Sequence, residues 1–213
     1  MIKIEKTDVI GWEHAIRGMR NPLNSWDKSD SKGINIGQND IKLMRRLVNA
    51  GTDHRKFMRM IVVYADITAP LYWWKEYDTY KVGTVANSCS TMHKIADKEF
   101  TMEDFSCEHL IKTEPIPGRT YSPYEALKAT VHNLDIYREM FLETKDKKYW
   151  HQMIQLLPTS YNQKRTVMLN YEVLANMYRS RKNHKLDEWC DFCRWVETLP
   201  YAKELIIISE KES

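Results

Sequence analysis

The chain has 213 residues, with 32 Lys+Arg against 29 Asp+Glu and a formal charge of +3. It is 43% hydrophobic and 29% charged, the composition of a globular protein, and a chain of this length buries roughly 70% of its unfolded surface without disulfide or metal staples. A single domain over residues 1–213 is therefore expected. The near balance of charge argues against a dedicated nucleic-acid binder, which carries a basic stripe. No apolar run approaches the roughly 18 residues of a membrane span, and Met1 to Lys6 lack the basic-then-apolar order of a signal peptide. With the four sparse cysteines (Cys89, Cys107, Cys190, Cys193), this predicts free thiols in a reducing cytoplasm.

In chain order, residues 2–6 alternate and predict a short strand, and Asp8 to Met19 predict a helix. Residues 20–40, rich in Asn, Ser, Asp and Gly, predict a long loop, the kind that is functional or mobile. Asn39 or Asp40 is positioned to cap a helix through Asn49, with Ile41, Leu43, Met44, Leu47 and Val48 as its apolar side and Gly51 as its stop. Met60 to Ile67 is short and β-branched, a strand, and Pro70 suits the first turn of a helix to about Tyr77. Residues 79–100 show no period, and Thr101 with Asp104 predicts a short capped helix to Leu110. Ser122-Pro123 opens the strongest helix, with Leu127, Val131, Leu134, Tyr137 and Phe141 in one stripe. Further helices are expected over 148–157, 166–181 and 186–197, with Pro200 opening a last one. The fold class is α+β, with a helix-rich C-terminal half.

Cys190-x-x-Cys193 has the spacing of a zinc half-site, but no second pair of ligands follows. A redox pair opens a helix after a strand, whereas this one lies inside an aromatic helical stretch, so ordinary thiols are expected. Lys145, Lys147 and Lys148 read as a solvated surface. Arg179, Arg181, Lys182, His184 and Lys185 cluster at a helix end, where cations either complement the dipole or hold a phosphate. His54-Arg55-Lys56 after Gly51-Thr52-Asp53 is an exposed basic turn or an anion site. No nucleotide-binding glycine fingerprint and no Ser-His-Asp or Cys-His signature occurs, so a cofactor is the better carrier of any chemistry.

Three stretches together resemble the flavin-dependent thymidylate synthases. Ala69-Pro70-Leu71-Tyr72 through Thr79-Tyr80-Lys81 is similar to the family's apolar lead-in, which ends in Arg-His-Arg. Thr84 to His93 is similar to its continuation, Ser-x-Asn-Glu-x-Ser-x-Arg-Tyr, with one residue inserted. Leu157-Pro158, Tyr161, and then Asn170, Leu174, Asn176 and Arg181 match Leu-Pro, a Tyr and Asn-x-x-x-Leu-x-Asn-x-x-x-x-Arg. The resemblance spans about residues 51–200. It departs where Arg-His-Arg reads Thr79-Tyr80-Lys81, where Ser88 stands for Glu and Met92 for Arg, and where Ile154 replaces a further Arg. Lys75, Lys81, Lys94 and Arg55 are the cations available to rebuild those contacts.

The resemblance implies a thymidylate synthase X (ThyX)-like fold with a central, mostly antiparallel sheet. It implies FAD as cofactor, NADPH and methylenetetrahydrofolate as co-substrates, and methylation of dUMP at C5 without a protein nucleophile. By position, it implies that Arg181, Ser90 and Lys94 bind substrate and that His54, Lys81, Asn170 and Asn176 face the cofactor. It also implies a homotetramer with active sites between chains and no metal, membrane or nucleic-acid partner. A related C5 modification, and a non-catalytic homologue used for binding or assembly, are the alternatives that the lost arginines raise.

Overall fold

The computed structural model describes residues 1–113, 117–118 and 121–207. In chain order the main elements are β1 (Lys3–Ile10), α1 (Trp12–Arg20), α2 (Gln38–Asn49), β2 (Val62–Pro70), α3 (Leu71–Tyr77), β3 (Val85–Ser88) and α4 (Thr91–Lys94). They continue as α5 (Pro123–Thr144), α6 (Lys147–Leu156), β4 (Asn162–Asn170), α7 (Tyr171–Arg181) and α8 (Asp187–Glu197). The strands form one antiparallel sheet in the order β1-β2-β4-β3, as an α+β chain requires. Among the described residues, no helix is long and apolar enough to cross a membrane.

The chain divides into two compact units. One comprises Ile2–Ile67, Tyr77–Asn87 and the described residues from Thr166 on. Its interior holds Trp12, Met44, Met58, Tyr171, Trp189 and Phe192, each at most 3% exposed. Trp12 meets Tyr171 and Tyr201 edge-on, with ring centroids 5.3 and 5.4 Å away. The expected start of α1 at Asp8 is corrected, because β1 runs on to Ile10 and the chain turns at Gly11. Gly11 has φ +93°, and a β-carbon there would sit 2.0 Å from the Met60 carbonyl oxygen, so this corner admits only glycine.

The 20–40 segment is organised by buried charge. Arg20 and Asp40 are 4% and 0% exposed, and Arg20 Nε donates to Asp40 Oδ1 at 2.7 Å. Asp40 therefore lies inside α2 and does not cap it. The Asp30 carboxylate instead accepts from the Asn39 and Asp40 N–H groups, at 2.9 and 3.2 Å. Gly51, at φ +99°, follows the end of α2 as expected.

The other unit comprises Met1, Thr68–Glu76 and the described residues of Ser88–Arg165. The stripe on α5 packs as its spacing predicts: Leu127, Val131 and Leu134 join Ile95, Phe105 and Met153 of α6 in one apolar cluster. Ser122 and Glu125 close the capping box, each accepting from the other's backbone N–H at 3.2 and 3.1 Å. Thr101 and Asp104 close a box too, but it caps only the single tight turn Met102–Asp104. Phe105 then pairs with Tyr161, which ends the helix that was expected to reach Leu110.

The largest correction is at 166–181, where a single helix was expected. Residues 162–170 form β4, and α7 begins only at Tyr171. The second half of the chain thus supplies a sheet strand. β3 falls within the stretch where no period was seen, because all four of its residues are exposed and nothing alternates.

Candidate functional site

The first unit holds the candidate site, and α7 is its scaffold. Asn170 ends β4 and caps α7: its Oδ1 accepts from the Val173 N–H at 2.9 Å. Its amide Nδ2 donates in the opposite direction, to the Gly83 carbonyl oxygen at 3.4 Å. Gly83 has φ +77°, and a β-carbon there would fall 2.6 Å from Asn170 Nδ2. Glycine thus lets the 78–84 segment approach the cap.

The far end of α7 is fastened to the same segment. Arg181 Nε donates to Tyr80 Oη at 2.9 Å. The guanidinium lies 4.7 Å over the Trp189 ring of α8 and 5.6 Å from the centre of the Tyr80 ring. Its Nη1 is 3.0 Å from His184 Nε2. Arg181 thereby lies over Trp189 and is bonded to the Tyr80 hydroxyl, which restricts the orientations of its fork. The Thr79-Tyr80-Lys81 triplet and the Asn170-to-Arg181 stretch, both singled out in the sequence, meet here.

Asn176 is exposed on α7, and its Oδ1 accepts from Arg55 Nη2 at 3.4 Å. Arg55 is 6% exposed and pairs with Glu172 at 3.3 Å, while Arg59 bonds the other oxygen of that carboxylate. Burial alone raises the Glu172 pKa, but the hydrogen bonds and charges of Arg59 and Arg55 outweigh it and hold the pKa below the ordinary glutamate value. Arg55 therefore has its charge compensated inside the protein and serves to orient Asn176.

His54 is exposed at the mouth of a cavity of about 1110 Å³. Lys28, Lys42, Arg46 and Lys56 line it with Asp53, over an apolar wall of Leu43, Leu47, Phe57 and Met60. Sequence reading missed Lys42 and Arg46, although their i,i+4 spacing puts two cations on one face of α2. It also missed His184 and Trp189 as partners of Arg181, a relation that spacing does not encode. Lys81 is exposed.

Ser90 and Lys94 belong to the other unit. Ser90 Oγ caps α4 by accepting from the His93 N–H at 3.2 Å. Lys94 is exposed and pairs with Asp97 at 2.8 Å, which raises its pKa. Lys75, also of that unit, is exposed.

The paired cysteines are free: Cys190 is half-buried and Cys193 is buried in α8. Burial, with the nearby Cys190 and Glu197, pushes the Cys193 thiol up to about 12. A thiol held protonated is a poor nucleophile. In native protein at pH 8, a disulfide reagent is expected to modify exposed Cys89 and leave Cys193 unmodified until denaturant is added, as peptide mass mapping will show.

No family model matches the chain, and no curated protein matches it in sequence. Solved structures do match. Thymidylate Synthase X from Helicobacter pylori, with FAD and dUMP, superposes with a TM-score of 0.72 at 16% identity, covering 100% of both chains. The chain has the flavin-dependent thymidylate synthase fold. A UMP/dUMP methylase, PolB from Streptomyces cacaoi bound with 5-Br dUMP, matches with a TM-score of 0.64 at 16% identity, over 99% of this chain and 94% of that one. Within the thymidylate synthase X fold, Asn170 and Arg181 stand at the two ends of α7, and Tyr80 supplies the oxygen that receives the Arg181 Nε proton.

Proposed function

We propose that this chain is a flavin-dependent enzyme that modifies a pyrimidine nucleotide at C5, with dUMP as substrate and methylation as the reaction. The observation that carries the reading is the double fastening of the 78–84 segment to α7, at Asn170–Gly83 and at Arg181–Tyr80. It joins the two stretches whose resemblance is to nucleotide- and flavin-binding positions. The neighbours' FAD and dUMP support the same reading.

The cavity beside His54 suits FAD. Its volume, about 1110 Å³, lies just above the roughly 300–1,000 Å³ of ligand sites, and it joins an apolar wall to four cations besides Arg20, which Asp40 pairs. Lys42, Arg46 and Lys56 would face the pyrophosphate and Leu43, Leu47 and Phe57 the flat ring. When bound, reduced flavin supplies hydride, which explains why the chain needs no nucleophile of its own. Arg181, with a planar fork held by the Trp189 face and the Tyr80 hydroxyl, is suited to hold the nucleotide. Asn170 and Asn176 would donate or accept at the cofactor, and Ser90 and Lys94 would meet the substrate phosphate. Methylenetetrahydrofolate is the one-carbon donor in this reading and NADPH the reductant, in a cytoplasmic homotetramer whose sites lie between chains.

Purified protein is expected to be yellow, or to become so with added FAD, and to oxidise reduced flavin only when dUMP is present. The double variant Lys42→Ala/Arg46→Ala is expected to weaken FAD binding about tenfold or more, since each lost ion contact costs about 1 kcal/mol. Fluorescence titration of FAD measures it. A colourless protein that binds no FAD overturns the reading. The replacement of Arg-His-Arg by Thr79-Tyr80-Lys81 favours one second reading, a non-catalytic homologue that keeps the fold for binding. That reading predicts FAD or nucleotide binding without turnover. Mass analysis of the product separates methylation from another C5 change, and UMP tested beside dUMP sets the sugar preference.

A further inference from the structure

The turn after α7 carries an imidazole whose two neighbours both demand a lone pair. His184 Nδ1 lies 3.2 Å from the backbone nitrogen of Leu186, and Nε2 lies 3.0 Å from Arg181 Nη1. A backbone N–H only donates, and a guanidinium has five N–H groups and no acceptor. A neutral imidazole has one bare nitrogen. With Nε2 bare, it accepts from Arg181 and sets Nδ1–H against the Leu186 N–H. With Nδ1 bare, it caps Leu186 and sets Nε2–H against the guanidinium. The imidazolium accepts from neither and brings a positive charge 3.0 Å from the guanidinium nitrogen.

The surroundings tie this choice to the orientation of Arg181. The His184 ring meets Trp189 edge-on at 6.4 Å, and Arg181 lies over that same indole. The Cys190 thiol donates to the His184 carbonyl oxygen at 3.4 Å, which anchors the turn's backbone. Tyr80 packs against Trp189 at 6.1 Å and accepts from Arg181 Nε. The charged residues beside His184 in sequence are Arg181, Lys182, Lys185, Asp187 and Glu188; α8, which packs on α7, also carries Cys190, Asp191, Cys193, Arg194 and Glu197, and Asp78 and Lys81 lie beside Tyr80 in sequence. The guanidinium thus meets Tyr80 Oη through Nε and the His184 imidazole through Nη1.

We propose that His184 is a positioning residue for Arg181. Neutral and with Nε2 bare, it completes the slot that Tyr80 and Trp189 form and fixes the guanidinium fork. On taking up a proton, it loses that contact and repels the fork. Nucleotide affinity then falls on acidification. The affinity part rests on Arg181 as the nucleotide anchor; the positioning part does not.

The test uses full-length protein and two variants. His184→Gln offers an acceptor oxygen near the Nε2 position and does not titrate. His184→Asn is too short to reach Arg181. A phosphate monoester itself takes up a proton near pH 6, so dUMP binding to the wild type is read against His184→Gln at each pH. Between pH 8 and 5.5, wild-type affinity is expected to fall about tenfold more than that of His184→Gln, the effect of one charge-assisted hydrogen bond. His184→Asn is expected to bind weakly throughout. Superimposable profiles for wild type and His184→Gln overturn the proposal, as does a wild-type affinity that rises on acidification. In ligand-free protein, the Arg181 Nε–H resonance, assigned with Arg181→Lys, is expected to move with His184 protonation in the wild type and to stay still in His184→Gln. A stationary wild-type resonance overturns the positioning role whatever binds. A resonance that moves in a protein that binds no dUMP leaves the positioning role standing and removes the nucleotide reading.

Discussion

Arg181→Ala is expected to lower dUMP-dependent flavin oxidation by about 100-fold while the protein stays folded and binds FAD. A two-pronged contact between a guanidinium and an anion or a polar base edge contributes about 3 kcal/mol when its partner is held dry, and each 1.4 kcal/mol is tenfold. Arg181 is suited to make such a contact because its orientation is fixed before ligand arrives. Tyr80 Oη takes the Nε proton at 2.9 Å, and Trp189 supports the plane from 4.7 Å. That preorganisation also predicts that Arg181→Lys rescues little. An ammonium has no Nε to give Tyr80, no plane to lie on Trp189 and no fork. Steady-state assays with melting curves separate lost chemistry from lost fold. Activity within about threefold of wild type, with an unchanged melt, removes Arg181 from the nucleotide site and leaves the non-catalytic reading in its place.

The residues of that clamp were legible in unequal measure. Asn170 and Arg181 stand out in the sequence because they share one helix, and a spacing of eleven residues survives translation into structure. The partners of Arg181 do not stand out. Tyr80 is 101 positions away, and no local pattern records that its hydroxyl accepts from Arg181. The same distinction runs through the fold. Helix α5 was legible because its cap, Ser122 with Glu125, and its stripe, Leu127 to Phe141, are local. β4 was misread because a polar residue, Gln163, fills one of its inward positions. Its amide donates to the Cys89 carbonyl oxygen at 2.9 Å, so the site is satisfied but the apolar alternation that announces a strand is broken. The cavity beside His54 was half legible: the basic turn was visible, whereas the cations of α2 became part of it only through folding.

Asp40→Ala is expected to be the most destabilising single change outside the site, at about 3–5 kcal/mol. Both partners of the Arg20–Asp40 pair are dry, at 4% and 0% side-chain exposure, so removing the carboxylate leaves a buried guanidinium with no counter-charge. The loss reaches further than one bond. Asp40 Oδ2 accepts from Ser29 Oγ at 2.7 Å, Ser31 Oγ at 2.6 Å and the Asp30 N–H at 3.2 Å. Arg20 in turn donates to the Ser25 and Lys28 carbonyl oxygens, each at 3.0 Å. These bonds give the 20–40 segment its shape in place of an apolar core, and the segment supplies Arg20, Ser25 and Lys28 to the wall of the cavity. For a chain of this length, such a loss lowers the melting temperature by roughly 10 °C, measurable by calorimetry. The pH dependence has a definite sign. Burial raises the Asp40 pKa, but the hydrogen bonds from Ser31, Ser29 and Arg20 and the Arg20 charge outweigh it, so the folded value lies below 3.8. The stabilisation is therefore complete above the unfolded carboxylate pKa and disappears as pH falls through the lower folded value. Asp40→Asn, which fills the same space without charge, removes this acid-dependent part while keeping some hydrogen bonds, and is expected to cost less than Asp40→Ala. A double change, Arg20→Met with Asp40→Leu, removes both charges together and is expected to recover part of the loss, because the penalty of Asp40→Ala lies largely in the orphaned guanidinium. A double variant as unstable as the sum of its singles contradicts this account and assigns the stability to the serine and backbone donors instead.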